Sequence, residues 1–262
     1  MDLGLKDRVV LVSAGSEGIG LACALGFAAE GARVAICGRD RAKLARAVET
    51  AGNRGLDLLA VPADVTDPAA VAALVHSVTA QLGAPDVLLT NAGGPPPGGF
   101  DTLDDAKWHA ALELTLLSAT RLTQAVLPGM RARRWGRIVG IQSYGVRQPI
   151  PGLMLSNSLR LAAIGWAKTL SAEVAAEGVT VNTVLPGWTR TGRVDQVFEA
   201  RAAAQATTAA QEEARVLAGI PMGRMGAPAE IAALAVFLGS EVASYITGTA
   251  IPVDGGAVLA AL

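Results

Sequence analysis

The sequence predicts an α/β fold: a doubly wound parallel sheet of about seven strands with helices on both faces. Three observations predict it. Short apolar, β-branched runs alternate along the chain with longer stretches of helical periodicity. The first such run ends in a Gly-rich turn, Ala14 to Gly20, that opens a helix. No Ser/Pro-rich linker, internal repeat or low-complexity tract divides the chain, so residues 1–262 read as one domain.

The elements follow in order. Arg8 to Ser13 is a strand, Ile19 to Glu30 a helix closed by Gly31, and Arg33 to Cys37 a second strand. Together they form a βαβ unit, with a right-handed crossover expected. A helix near Arg41 to Ala51 and a strand near Leu56 to Val61 come next, and Asp67 before Pro68 makes an N-cap with proline at the first helical position. Strand Asp86 to Thr90 leads into Asn91-Ala92-Gly93-Gly94 and the stiff loop Pro95 to Gly99. The pattern then predicts one long helix, Asp104 to Arg131, with Trp108, Leu112, Leu116 and Leu117 toward the core or a partner subunit. Strand Arg137 to Ile141, a Pro/Gly-rich loop, a helix to Glu177 and strand Val179 to Leu185 complete six β/α units. Arg201 to Arg215 is biased toward Ala and Gln and reads as a mobile helical lid, and a helix from Pro228 to Gly239 precedes the last strand, Ala250 to Val253.

Composition narrows the function. A net charge of -1 from 22 basic and 23 acidic residues offers no footprint for nucleic acid or an acidic membrane. Mean hydropathy is high at +0.40, yet every apolar run is broken well short of the roughly 18 residues a membrane span requires. The apolar surplus is assigned to core and subunit interface. Cys23 and Cys37 lack metal-like or redox spacing and read as buried free thiols, and no residue cluster has metal-ligand spacing. With an N-terminus that lacks the features of a secretory peptide, a cytoplasmic location is expected.

Two stretches carry chemistry. In the first βαβ unit, Gly15, Gly18 and Gly20 stand where a side chain would intrude on a bound pyrophosphate, with Ser16 as a hydroxyl donor. A tight turn needed only for packing would look similar. The second strand ends at Arg39, where an adenosine ribose would lie, so Arg39 either pairs with a 2′-phosphate and favours NADP, or is a solvated surface residue. Glu17 would oppose that phosphate if it pointed the same way. Asp64 either bonds an adenine amine or closes a local turn. The second stretch, Ser143 to Arg160, leaves the carboxyl end of a strand and offers hydroxyls at Ser143, Tyr144, Ser156 and Ser158, one cation at Arg160, and no neighbouring His or carboxylate to act as a base.

Taken together these residues resemble the short-chain dehydrogenase/reductase family, most closely its 3-oxoacyl-acyl-carrier-protein reductase-like branch. The resemblance is carried by GSEGIG at Gly15 to Gly20, ADVTD at Ala63 to Asp67, NAG at Asn91 to Gly93, GRIVGIQS at Gly136 to Ser143, VNTVLPGWTRT at Val181 to Thr191, GRMGAPAEIA at Gly223 to Ala232 and ITGTAIPVDGG at Ile246 to Gly256. It covers nearly the full length. It implies a Rossmann domain, NAD(P)-dependent interconversion of a carbonyl and an alcohol on a small molecule, with an acyl chain as one candidate, and a homotetramer built on helices Asp104 to Arg131 and Ser156 to Glu177. NADP is the preferred cofactor and NAD the alternative. Cofactor contacts carry over to Ser16, Ile19, Arg39, Asp64, Val65, Asn91, Ala92, Gly93, Pro186, Gly187 and Thr191, with Arg160 on the nicotinamide ribose.

The departures matter as much. The first glycine of the family's Gly-rich motif is Ala14 here. In the active site Ser143 matches the family's Ser, but its Tyr position is Ser156, its Lys position Arg160, and its Asn position Thr115. Reducing a ketone requires a proton for the developing alkoxide, and a phenol beside an ammonium suits that task. A serine hydroxyl is a far weaker acid, and an arginine cannot share its proton as a lysine can. Tyr144 is the one nearby phenol, either a substitute acid or a residue packed against its neighbours. The leading expectation is an NADP-preferring oxidoreductase with an altered proton relay. The alternative is a family-shaped protein that binds nucleotide or ligand without turnover. A halohydrin-dehalogenase-like activity ranks last, because that offshoot keeps the Tyr and loses the nucleotide glycines.

Overall fold

The computed structural model describes residues 1–260. Seven parallel strands form one sheet in the order β3-β2-β1-β4-β5-β6-β7. They are β1 (Val9–Val12), β2 (Arg33–Gly38), β3 (Leu58–Pro62), β4 (Val87–Thr90), β5 (Gly136–Ile141), β6 (Val179–Pro186) and β7 (Ala250–Val253). Strand order reverses between β1 and β4, the topological switch point at which such sheets open a cleft.

The strands read as continuous apolar runs because both faces are covered. Val10, Val12, Val34 and Ile36 point to one face, under α1 (Gly18–Ala29), α2 (Arg41–Gly52) and, through Ile231 and Ala235, α9 (Pro228–Leu238). Val9, Leu11, Ala35 and Cys37 point to the other, against α3 (Pro68–Leu82), α5 (Ser118–Arg133) and α6 (Met154–Val174). Both cysteines are free and buried, and burial pushes each thiol up to about 12, so they act as small apolar core residues. No helix among the described residues is long and apolar enough to cross a membrane.

Local chemistry sets the helix starts. Asp67 Oδ1 accepts from Ala69 N at 2.8 Å with Pro68 following, and Asp40 Oδ1 accepts from Ala42 N and Lys43 N at the head of α2. Two helical expectations are refined. The long helical run expected from Asp104 to Arg131 is present and unbroken, but it holds a π-helical turn over Glu113–Leu117 between α4 (Asp105–Leu112) and α5. One wide turn hides inside an apolar periodicity that otherwise runs straight through. The lid stretch is two helices, α7 (Gly192–Gln205) and α8 (Ala209–Ala218), broken at Ala206 with φ 53° and restarted by a Thr208–Gln211 capping box.

Candidate active site

A cleft of about 510 Å³ runs along the carboxyl ends of the strands, from the tip of β2, across the Gly-rich loop, to the ends of β4, β5 and β6. Its lining brings together Ser16, Gly18, Ile19, Arg39, Asp64, Val65, Asn91, Ala92 and Gly93 with Ser143, Tyr144, Ser156, Arg160, Pro186, Gly187 and Thr191. Residues read from seven separate stretches of sequence thus share one surface.

The Gly-rich loop is shaped by contacts within the protein. A Cβ on Gly20 would lie 2.2 Å from the Ala14 carbonyl oxygen, and one on Gly15 would lie 2.8 Å from Ile36 Cβ. Gly18 and Ala14 are both left-handed, at φ 57° and 47°. For Ala14 that backbone costs on the order of 1 kcal/mol. The Ala14 carbonyl accepts from Asn91 Nδ2 at 3.3 Å, tying the loop to the end of β4. Helix α1 begins at Gly18 with no side-chain cap, so its first N–H groups and the positive end of its dipole face the cleft. That is a cradle for a phosphate group.

At the β2 end, Arg39 is exposed and its guanidinium lies 3.9 Å from Asp64. Asp64 Oδ1 accepts from Thr66 N at 3.0 Å and Thr66 Oγ1 at 2.8 Å, the local turn that its position allowed. Together with Arg39 these bonds outweigh partial burial and hold the Asp64 carboxyl below the usual carboxylate range. Glu17 does not stand unopposed beside Arg39. It pairs with Lys43 Nζ at 2.8 Å, so a cation absent from the sequence reading answers its charge. Arg39 and Lys43 therefore both line the place expected for a 2′-phosphate.

At the other end, the hydroxyls are poised as donors. Ser143 Oγ accepts from Gly145 N at 3.0 Å, and Ser156 Oγ accepts from Arg160 Nε at 3.2 Å. Each bond occupies a lone pair and leaves the hydroxyl hydrogen free. Arg160 is buried, with Nη1 donating to the carbonyls of Ile141 and Gln142 at 3.1 Å each. Burial, with the charge of Arg193 adding to it, pushes its pKa down to about 10, so it remains a cation at neutral pH. Its contacts fasten α6 to the end of β5, a structural task beyond the ribose contact that the resemblance implied.

Tyr144 lines the cleft but is mostly buried among Ile150, Ile220 and Ala257. Burial raises its pKa above the ordinary phenol value, the opposite of what a proton donor needs. Thr115 sits in the π-helical turn with a buried Oγ1 that has no hydrogen-bond partner. It borders, with Asn91, Ser118, Gln142 and Arg160, a small polar cavity of about 10 Å³ behind the cleft, close to the volume one water needs. Pro186, Gly187 and Thr191 carry β6 into α7, where Thr191 Cγ2 would stand 3.3 Å from a Cβ on Gly18. His76 and His109 are exposed on helices away from the cleft, and no group of three metal-ligating side chains occurs among the described residues.

Sequence reasoning missed Lys43, Gln142, Trp188 and Arg193, all of which line the cleft. Lys43 sits three residues past the Asp40 N-cap, on the first turn of α2, and that spacing was a usable signal. Arg193 lies at the start of α7, outside every motif that carries the resemblance.

The architecture and cleft define a Rossmann-like α/β protein with a phosphate cradle at the switch point. A family model described as enoyl-(acyl carrier protein) reductase matches residues 13–258. The chain is 36% identical over 252 residues to the monensin polyketide synthase putative ketoacyl reductase of Streptomyces virginiae, covering 95% of this chain and 97% of that one. It is 33% identical to the 3-oxoacyl-[acyl-carrier-protein] reductase of Salmonella typhimurium, covering 97% and 98%. Among solved structures, the L-sorbose reductase of Gluconobacter frateurii complexed with NADPH and L-sorbose superposes with a TM-score of 0.92 at 33% identity, covering 99% of this chain and all of the other. The chain belongs to the short-chain dehydrogenase/reductase family, in its 3-oxoacyl-acyl-carrier-protein reductase-like branch.

Proposed function

We propose that this protein is an NADP-preferring oxidoreductase that interconverts a carbonyl and an alcohol on a largely apolar small molecule. One observation carries the reading: a single cleft holds an uncapped α1 N-terminus and two cations at one end, and two free serine hydroxyls over a buried arginine at the other. Relatives that reduce ketoacyl groups, and one solved with NADPH, support it. When bound, the nicotinamide cofactor supplies the hydride. The Gly15–Gly20 loop with Ser16 and Ile19 would hold its diphosphate, Arg39 and Lys43 the 2′-phosphate, Asp64 and Val65 the adenosine, and Asn91 to Gly93, Arg160, Pro186, Gly187 and Thr191 the nicotinamide half.

The chain's own chemistry follows from the donors. Ser143 and Ser156 donate to the substrate oxygen and stabilise the negative charge that gathers there. Arg160, donating to Ser156 Oγ, withdraws charge from that oxygen and makes its proton easier to give. Arg160 itself stays protonated, so the proton that replaces the one from Ser156 comes from solvent in the cleft that Ser156 lines. This relay is slower than one built on a phenol. The expected homotetramer, built on the helices Asp104 to Arg131 and Ser156 to Glu177, is supported by the exposed Leu161 and the half-buried Trp108, Leu112 and Leu116. The test is NADPH binding by calorimetry followed by turnover with a panel of ketones. Binding with turnover that Ser143→Ala abolishes is expected, and binding without turnover on any ketone would leave the ligand-binding alternative.

A further inference from the structure

The substrate end of the cleft holds two guanidiniums and no carboxylate. Neither Arg160 nor Arg193 has an acidic partner within 4.0 Å among the described residues, while every cation at the adenosine end, Arg39 and Lys43, has one. Arg193 is half-buried at the start of α7 and reaches across to the loop after β4, where Nη2 donates to the Pro95 carbonyl at 2.6 Å. Its guanidinium rests against Gly94, where an added Cβ would lie 3.0 Å from Nε. That one bond leaves most of its five donors without a protein acceptor.

The same cleft is lined by the apolar side chains of Ile150, Leu153, Trp188, Val194 and Val197. A cation held among such side chains without a counter-ion is costly, and that cost is relieved by a bound anion. Desolvation depresses the pKa of both arginines, and the charge of Arg193 depresses that of Arg160 further. The cofactor's phosphates have other partners, namely the open N-terminus of α1 and the Arg39–Lys43 pair, both further along the sheet toward β2. Arg193 instead spans the ends of β4 and β6, on either side of Ser143 at the end of β5.

We propose that Arg193 binds the carboxylate of the substrate, and that the substrate is therefore a carbonyl compound bearing an acid group, a keto acid, or a hydroxy acid in the reverse direction. The proposal rests on the carbonyl–alcohol reading above and names its substrate class. In it Ser143 and Ser156 take the reacting oxygen while Arg193 fixes the far end, so the charge pair selects the substrate and the serines act on it. Arg160, buried beneath Ser156, contributes its field to both.

The test compares α-keto and γ-keto acids of medium chain length, each against its own methyl ester, with NADPH and the full-length protein. Wild type is expected to favour the acid over the ester in kcat/KM by roughly ten- to a hundredfold, the reach of one charge-assisted hydrogen bond. Arg193→Gln retains a donor for the Pro95 carbonyl and should collapse that ratio toward unity, while Arg193→Lys should restore much of it. NADPH affinity is measured by calorimetry for each variant, and thermal melts confirm folding. Equal turnover of acid and ester by wild type would overturn the proposal. So would an Arg193→Gln protein that loses acid and ester alike together with NADPH affinity, since the anion would then be the cofactor's diphosphate. Wild type that binds NADPH but reduces neither compound would sink the underlying carbonyl reading and this proposal with it.

Discussion

Replacing Ser156 by tyrosine, alone and with Arg160→Lys, should accelerate reduction. Ser156 faces a cleft of about 510 Å³, which has room for a phenol ring, and its oxygen already receives a bond from Arg160 Nε at 3.2 Å. A phenol there would meet the same cation, which favours its ionised form and so makes it a better acid. General acid catalysis is worth about 10²- to 10⁴-fold when well placed. Without a shell refined around the new ring, the gain falls short of that range or only reaches its lower end, so kcat should rise about ten- to a hundredfold. The signature is the pH profile of kcat for reduction. The variant needs its phenol protonated, so its rate should fall as pH rises through the phenol's pKa, whereas wild type should show no such limb between about pH 7 and pH 9, because a serine hydroxyl does not titrate there. A folded Ser156→Tyr protein with intact NADPH affinity and no gain in kcat would refute the relay described here. So would a wild-type profile that already carries a phenol-like limb, which would return the acid's role to Tyr144.

Three further outcomes are expected. Ala14→Gly should release the left-handed strain at φ 47° and stabilise the protein by about 1 kcal/mol, raising Tm by roughly 2–4 °C in a thermal melt, and an unchanged or lower Tm would show that the loop is not strained there. Arg39→Ala should weaken NADPH binding roughly ten- to a hundredfold by calorimetry and leave NADH little changed, and an equal loss for both cofactors would remove the 2′-phosphate role. Glu230 is bonded by Arg224 and caps α9 by accepting from Ala227 N, which together draw its pKa from 4.5 to about 2. Its folded-state value is depressed, so its contribution is present above the unfolded value and is lost as pH falls toward 2; melts of wild type and Glu230→Gln should differ at neutral pH and converge in acid.

The fold was largely legible because its signals are local. Buried parallel strands announce themselves as β-branched runs, and Asp67-Pro68 marks a helix start wherever it occurs. The π-helical turn at Glu113–Leu117 was not legible, since one widened turn barely disturbs the spacing of Leu112, Leu116 and Leu117. In the site, the motifs located residues that line one cleft. What the sequence withheld are meetings across distance. Glu17 and Lys43 are 26 residues apart and pair only because the βαβ unit sets the starts of α1 and α2 side by side. Arg193 finds Pro95 across 98 residues, at a helix whose Ala-rich pattern carries no ligand signature. The Ala14 backbone was hidden for another reason: a non-glycine residue gives no hint that it will be held left-handed.

The central claim is that a site lacking a phenolic acid still performs NADPH-dependent reduction of a carbonyl. It is tested most directly by incubating the protein with a ketone panel and NADPH deuterated at the transferable position of C4, then identifying products by mass spectrometry. An alcohol carrying one deuterium at the former carbonyl carbon is expected, formed by wild type and not by Ser143→Ala. NADPH bound but left unconsumed across the panel, or deuterium found at any other carbon, would contradict it.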